Sequence, residues 1–286
     1  MWGDLHIHMI LDGVYFRDAI AAHKERPADE LIHARLKSYA DRGISFLRDG
    51  GDAWGVSLRA RELAGAYGID YRCPAFPIHK KGHYGGFIGR GFSDFDEYLC
   101  LLDEVEELGG DFVKLMISGL IDFSKPRTLT EEGLETEEIC AMINAAHRRG
   151  FAVMTHANGD KAVNAALDAG AESIEHGAFL SEGTLSRLAG SETLWVPTLS
   201  AIGNLIGSGR YSDEVLSPML KQQQEKVAFA AELGGKIGLG SDAGAYLVPH
   251  EHAAQDEYAY LKAALGEETE KILQKAEAFA NARFRR

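Results

Sequence analysis

Residues 151–177 read FAVMTHANGDKAVNAALDAGAESIEHG, and this stretch decides the fold. Two short runs with strand character, FAVMTH (151–156) and AESIEH (171–176), flank KAVNAALDAG (161–170), a longer run of helical period. A strand, a helix and a second strand in this order form a βαβ unit, in which the strands are parallel. The stretch therefore predicts an α/β protein built on a parallel sheet.

The same alternation extends along the whole chain. Predicted strands lie at residues 2–8, 44–49, 69–76, 111–118, 151–156, 171–176, 193–198 and 236–242. Helical stretches lie between them, for example at residues 96–108, 135–149, 161–170 and 214–233. Eight strands, each followed by a helix and with no linker between them, favour a closed (β/α)8 TIM barrel over an open doubly wound sheet. We therefore predict a single barrel domain over residues 1–286.

Composition narrows the class of protein. The chain has 286 residues, 45% of them hydrophobic, and a net charge of −13 without a stripe of Lys and Arg, which argues against a nucleic-acid partner. No apolar run approaches the roughly 20 residues that cross a bilayer, so no membrane partner is expected. Its three cysteines lack CxxC spacing, which favours a reducing, cytoplasmic location. The sequence leaves open whether the protein forms a homo-oligomer.

Residues capable of binding a metal fall at the ends of predicted strands, where barrel enzymes place their chemistry. In DLHIH (4–8), side chains alternate between faces, so His6 and His8 point the same way. His156, His176 and Asp242 each end a later strand. Four imidazoles and a carboxylate suit zinc or a similar divalent ion, with positions left open for water. The alternative for each histidine is an ordinary hydrogen-bonded polar residue.

Lys114 lies between apolar residues in DFVKLMIS (111–118), near the end of the predicted fourth strand. A buried lysine normally needs an acid partner or a lowered pKa, and Asp49 or Asp242 could form a simple salt bridge with it. A neutral amine can instead add carbon dioxide to become a carbamate, whose two oxygens could bridge a pair of metal ions. The sequence leaves both interpretations open.

The ordered set of six residues resembles the amidohydrolase superfamily, in particular its binuclear members with a carboxylated lysine. The set comprises His6, His8, Lys114, His156, His176 and Asp242, on the first, fourth, fifth, sixth and eighth predicted strands. Local segments are most similar to the prolidase, imidazolonepropionase and related branch: FLRDGGD (46–52), KGHYGG (81–86), MTHANG (154–159), AGAESIEHG (169–177) and GLGSDAG (238–244). The resemblance covers nearly the whole chain.

The resemblance implies a specific role for each of the six residues at the site. His6, His8 and Asp242 would hold one divalent ion, most typically zinc, and His156 and His176 a second. Lys114 as a carbamate would bridge the two ions. A hydroxide between the ions would attack the carbonyl of a small-molecule amide, such as a dipeptide, an N-acyl amino acid or a cyclic amide. Asp242 would act as general acid and base.

Substrate recognition is expected in the loops at 77–95, 118–135, 199–214 and 243–252. His83 lies where relatives often carry Gly-Gly-His, although this chain has Lys81-Gly82-His83, and the alternative is a solvated loop histidine. Tyr84 and Arg90 are further candidates, since either could recognise an anionic group. Arg48 and Asp49 are expected to support the site as a buried ion pair.

Other functions stay open. A mononuclear deaminase of the same superfamily usually has a Glu shortly after a strand-end histidine, whereas Ala-Asn-Gly-Asp follows His156. A lactone or phosphoester hydrolase could use the same metals, and a catalytically silent metal-binding barrel is the non-enzymatic alternative. Many relatives add a small β-sandwich beside the barrel that is missing from this sequence, so either a natural barrel-only protein or a truncated chain is expected.

Overall fold

A computed structural model describes residues 3–286. Its strands are β1 (Asp4–Ile7), β2 (Phe46–Asp49), β3 (Asp70–Arg72), β4 (Pro77–Lys80), β5 (Arg90–Phe92), β6 (Val113–Met116), β7 (Val153–Ala157), β8 (Ser173–His176), β9 (Leu194–Val196) and β10 (Lys236–Ile237). Its helices are α1 (Phe16–Ala21), α2 (Asp29–Asp41), α3 (Val56–Ala64), α4 (Phe95–Glu107), α5 (Thr136–Arg148), α6 (Gly159–Asp168), α7 (Glu182–Ala189), α8 (Ser200–Gly203), α9 (Asp213–Glu232), α10 (Ala253–Leu265) and α11 (Thr269–Arg283). Trp2, in the first predicted strand, lies outside the described residues.

The strands form two sheets in which all pairings are parallel. One sheet has the order β1-β2-β3 and the other the order β10-β9-β8-β7-β6-β4-β5. Every residue of β6 and β7 is buried, as expected for strands that are covered on both faces. The prediction of an α/β protein with a parallel sheet is confirmed. No helix within residues 3–286 is both long and apolar enough to span a bilayer.

Backbone hydrogen bonds connect both edges of the β1-β2-β3 sheet to the other sheet. On one side Leu5 N donates to Leu239 O and Asp242 N donates to His6 O, each at 2.8 Å, which joins β1 to the segment after β10. On the other side Asp111 N donates to Cys73 O at 2.8 Å. The contacts beside β1 place Asp242 next to the predicted metal-binding histidines.

The third predicted strand, residues 69–76, is shorter than expected and is followed by two strands that sequence reasoning placed in a loop. β3 ends at Arg72, because Pro74 cannot donate to a ladder and Ala75 has a φ of +66°. The chain then resumes as β4, which pairs with β6. Strands β4 and β5 were missed because they are short and carry proline or glycine.

A second cluster of buried apolar residues is separate from the main hydrophobic core. It contains Leu5, Phe46, Phe112, Met154, Leu194, Val196, Ala276, Ala280 and Phe284. Phe112 and Phe284 meet edge to face with their ring centroids 5.2 Å apart. Helix α11 and the residue that follows it therefore cover the ends of the strands opposite the predicted site.

Gly240 occupies a close approach beside β1. A Cβ added there would lie 2.3 Å from Val196 Cγ1 and 2.8 Å from His6 Cβ. We expect Gly240→Ala to lower the free energy of unfolding by about 1–3 kcal/mol, the usual cost of overpacking. Urea denaturation of the metal-free protein measures this loss. Gly65→Ala is the matched control, since its Cβ would have no neighbour within 4 Å; equal stabilities of the two variants would contradict the prediction.

Candidate metal centre

Three of the predicted metal ligands meet where β1 ends and in the segment that follows β10. The candidate ligand atoms of His6, His8 and Asp242 all lie within 4.8 Å of one another. Asp242 Oδ1 is 3.5 Å from His6 Nε2 and 3.4 Å from His8 Nε2. These three residues form a pocket of donor atoms of the size that one divalent ion needs.

The second predicted pair lies directly beside this group. The ring centroids of His156 and His176 are 4.5 Å apart, and those of His6 and His176 are 5.1 Å apart. All three rings are largely or fully shielded from solvent, and they come from β7, β8 and β1. The fold therefore collects imidazoles from three strands into one cluster.

Lys114 is buried on β6 and points its amine into this charged environment. Among residues 3–286, its Nζ has no hydrogen-bond partner and no carboxylate within salt-bridge distance. The salt bridge to Asp49 or Asp242, considered from sequence, is therefore not formed. Burial lowers the pKa of Lys114 to about 8, an effect that the charge of Glu175 partly opposes. A buried amine without a partner is costly, and a group in this state is a candidate functional residue.

Three histidines of the cluster, His6, His156 and His176, have lowered pKa values that favour the neutral ring. Burial, reinforced by the charge of Lys114, lowers the pKa of His6 to about 4 and that of His156 to about 3. Burial also lowers the pKa of His176 well below its usual value. A neutral imidazole has a free lone pair, which is the form that binds a metal ion.

Asp242 is held as a carboxylate. Burial alone would raise its pKa, but the hydrogen bond from His8 and the electrostatic interactions with His6 and Lys114 outweigh burial, so the pKa is lowered. Its neighbour Ser241 is fixed by Asp4, whose carboxylate accepts from Ser241 N at 2.9 Å and from Ser241 Oγ at 2.6 Å. Burial raises the pKa of Asp4 to about 7. Asp4 thus shapes the turn that presents Asp242.

Hydrogen bonds on the far side of each ring set its orientation. His6 Nδ1 lies 2.7 Å from Glu175 Oε2, and His176 Nδ1 lies 2.7 Å from Thr198 Oγ1. His156 Nε2 lies 3.1 Å from the carbonyl oxygen of Gly119. Each ring therefore keeps its other nitrogen for the cluster, as metal-binding histidines usually do.

Strand ends around the site adopt an unusual backbone conformation. His176, Thr198 and Asp242 have φ values of +67°, +48° and +59°, in the left-handed region that residues other than glycine rarely occupy. Such strain persists only where surrounding contacts enforce it, and it concentrates at functional sites. Here the left-handed conformation occurs at the candidate ligands His176 and Asp242 and at Thr198, which orients His176.

The residues present fit a divalent metal centre. Imidazole and carboxylate donors converge, and a buried nitrogen on a neighbouring strand, Lys114 Nζ, has no hydrogen-bond partner within residues 3–286. Such a donor set suits zinc or a similar ion.

A cavity of about 220 Å³ opens over the cluster. His156, His176 and Asp242 contribute to its floor and Tyr84 to its wall. The rest of the lining is mainly apolar: Leu120, Ile121, Phe123, Ala178, Pro197, Ala201, Ile202, Leu205, Ala245 and Tyr246. The cavity can therefore accept an apolar group beside the candidate metal centre.

Of the three predicted substrate residues, only Tyr84 lines this cavity. His83 Nδ1 lies 3.5 Å from Glu131 Oε2. Arg90 pairs with Glu104 and stacks over the ring of Phe76, so neither His83 nor Arg90 reaches the lining.

Arg210 is a lining residue that sequence reasoning missed. Its guanidinium lies 4.3 Å from the ring centroid of Tyr246 and 5.6 Å from that of Tyr211. Arg210 lies in the loop 199–214, which is expected from the sequence to contact substrate. Its local sequence does not distinguish it from other surface arginines.

The predicted ion pair between Arg48 and Asp49 is wrong. Successive side chains on a strand point to opposite faces, so the two cannot meet. Arg48 instead contacts Glu175, with Nη2 2.8 Å from Oε1. Asp49 accepts hydrogen bonds from Met9 N at 2.9 Å and from the Tyr71 hydroxyl at 2.5 Å.

Known protein sequences that are similar to this chain match part of its length. No protein-family model matches the chain. An uncharacterized protein of Mycobacterium tuberculosis is 32% identical over 128 residues, which are 43% of this chain and 34% of that protein. Ochratoxinase of Aspergillus niger is 25% identical over 201 residues, which are 65% of this chain and 38% of that enzyme. The matches thus span between a third and two fifths of these curated relatives.

Solved structures match over nearly the whole chain. A Xaa-Pro dipeptidase with bound methionine superposes with a TM-score of 0.76 at 22% identity, covering 99% of this chain and 74% of that one. A. niger ochratoxinase gives a TM-score of 0.76 at 19% identity, covering 96% and 69%. A protein described as an amidohydrolase gives 0.73 at 20% identity, covering 99% and 75%. The chain therefore has the amidohydrolase fold.

Proposed function

We propose that this protein is a binuclear metal-dependent hydrolase of an amide bond. The observation that carries the proposal is the meeting of His6, His8 and Asp242 within 4.8 Å, beside the His156–His176 pair. The amine of Lys114, which has no hydrogen-bond partner among the described residues, and the cavity above the cluster support it. The names of the similar proteins, a dipeptidase and an ochratoxinase, agree with amide chemistry.

His6, His8 and Asp242 would hold one ion and His156 and His176 the other, with Lys114 as a carbamate between them. Zinc is the proposed metal, because neutral imidazoles and a carboxylate suit it. When bound, two divalent ions supply Lewis-acid polarisation of the amide carbonyl and lower the pKa of the attacking water.

The protein's own groups perform the remaining steps. Asp242, held as a carboxylate by the lowered pKa, accepts the proton of the attacking water and passes it to the leaving amine. Thr198 orients His176, and the Gly119 carbonyl orients His156, so that the rings keep their positions during turnover. The apolar cavity walls limit the access of bulk water to the reacting groups.

The cavity favours a particular kind of amide. Its apolar lining would accept a large aliphatic or aromatic group, and Arg210 at the aromatic wall would pair with a substrate carboxylate. A dipeptide or an N-acyl amino acid with an apolar side chain has both features. We propose this class of substrate.

Arg210→Met is expected to raise KM for N-acyl amino acids by about 10- to 100-fold, because a charge-assisted hydrogen bond contributes about 1.5–3 kcal/mol. The kcat should change little, since Arg210 does not contact the candidate metal ligands. Steady-state kinetics on the same substrates with the carboxylate replaced by a carboxamide supply the control. Arg148→Met, exposed on α5, should leave both constants unchanged. Equal KM values for wild type and Arg210→Met would contradict this role.

The proposed function is tested by assaying zinc-loaded protein on a panel of dipeptides, N-acyl amino acids, cyclic amides, lactones and phosphoesters. We expect amide turnover that a chelator abolishes and added zinc restores. Turnover of lactones alone would favour the alternative hydrolase. No turnover by protein that binds two ions would favour a silent metal-binding protein.

We also propose a single domain over residues 1–286 in which eight strands form one closed barrel, with β5, which pairs with β4 at the edge of its sheet, outside the count. The proposal is supported by the bonds between β1 and the segment after β10, and by the succession of β3 and β4 as two halves of one interrupted strand. The β3 half pairs with β2 and the β4 half with β6. A cytoplasmic location is proposed with it, because all three cysteines are unpaired thiols.

A further inference from the structure

A buried carboxylate stands behind the first of the candidate ligands. Glu175 on β8 is fully buried, and its Oε2 lies 2.7 Å from His6 Nδ1. If Nδ1 carries the ring proton and donates it to this oxygen, Nε2 presents its lone pair toward Asp242 and His8. The contact therefore fixes both the tautomer and the rotation of the His6 ring.

Glu175 is itself held rigidly. Its Oε1 accepts from Arg48 Nη2 at 2.8 Å and from Ser173 Oγ at 2.5 Å. Arg48 is equally buried; its Nε donates to Leu5 O at 2.6 Å, and its guanidinium stacks over Phe284 at 4.3 Å. The positive charge of Arg48 balances the negative charge of Glu175. The pairing therefore favours the ionised form of the carboxylate beside His6.

The other candidate ligands are oriented by neutral groups. Within residues 3–286, His176 Nδ1 contacts a threonine hydroxyl and His156 Nε2 a backbone carbonyl, while His8 Nδ1 has no hydrogen-bond partner. In the part of the chain that the structure describes, His6 alone among the four candidate histidines has an anionic hydrogen-bond partner on its outer nitrogen. A carboxylate there raises the basicity of an imidazole ligand and strengthens its bond to a metal ion.

We propose that Glu175, held by Arg48, is the positioning residue that sets the metal affinity of the site formed by His6, His8 and Asp242. The inference rests on the proposed metal-dependent function. It predicts that this site loses affinity without Glu175, whereas the ion at His156 and His176 is retained.

The test is the zinc affinity of Glu175→Gln, measured by competition with a chromophoric chelator. We expect one of the two ions to bind about 10- to 100-fold more weakly, the usual effect of removing such a partner. Glu175→Gln leaves Arg48 buried without its counter-charge. The double variant Glu175→Gln/Arg48→Met removes both charges and is therefore measured beside it. It should show the same loss of zinc affinity. Glu175→Asp keeps both charges but withdraws the carboxylate, and should give an intermediate loss.

Glu257→Gln is the matched control. Glu257 is also fully buried, but it accepts hydrogen bonds from Leu199 and Ser200 and contacts no candidate ligand. Its zinc affinity should equal that of wild type. Wild-type affinity in the three Glu175 variants, or an equal loss in Glu257→Gln, would overturn the inference. A wild-type protein that binds no ion would instead overturn the proposed function.

Discussion

Lys114→Ala is expected to abolish binding of two ions and to lower amide turnover at least about a hundredfold, because Lewis-acid assistance is worth several kcal/mol and each 1.4 kcal/mol is tenfold in rate. Lys114 is buried on β6, and its amine has no partner among the described residues. Loss of the amine removes the group that would bridge the ions as a carbamate. Metal content by mass spectrometry and kcat on a hydrolysed amide measure the two effects.

Two controls separate the bridging role from a loss of folding. Lys114→Met fills the same space with an apolar group, so the metal-free variant should be at least as stable as wild type, since a buried amine without a partner is removed. Lys161→Ala, on the exposed face of α6 and paired with Glu135, should leave metal content and turnover unchanged. A Lys114→Ala protein with two ions and full activity would show that Lys114 is not the bridge.

Asp242→Asn is expected to lower kcat by about 10²- to 10⁴-fold, the usual contribution of a general acid and base. Asp242 is held as a carboxylate beside His6 and His8, and an amide in its place cannot accept the proton of the attacking water. The His6 site should also bind zinc more weakly, because the substitution removes an anionic ligand.

Measurement at saturating zinc distinguishes the two effects of Asp242→Asn. If metal content is restored by added zinc while kcat stays low, the residue acts in proton transfer as well as in binding. Asp103→Asn on α4, an exposed partner of Arg149, is the matched control and should behave as wild type. Full kcat in Asp242→Asn at saturating zinc would contradict the general acid and base role.

Local patterns were sufficient to predict the parallel strands and the helices between them. The bounds of the predicted helices at 96–108 and 214–233 differ by one residue from those of α4 and α9. Long amphipathic segments have a clear helical period, which makes them predictable from the sequence. Strands β4 and β5 could not be predicted in this way, since three or four residues with proline or glycine give no period. The ligand cluster was foreseeable because strand ends meet at one edge of a parallel sheet.

Contacts between distant strands could not be predicted. Arg48 and Glu175 are 127 residues apart, and their ion pair depends on which strand faces point inward. Sequence reasoning paired Arg48 with its neighbour Asp49, which the alternation of strand faces prevents. Arg210 likewise lines the cavity only because the loop before α9 folds over the site. Long-range packing, not local propensity, decides which polar residues accompany the predicted ligands.

The binuclear centre is tested most directly by anomalous diffraction from crystals of the protein grown with zinc. We predict two anomalous peaks per chain, one bounded by His6, His8 and Asp242 and the other by His156 and His176. Electron density should extend beyond Lys114 Nζ as a carbamate between them. A single peak, or none, with an unmodified lysine would contradict the binuclear centre.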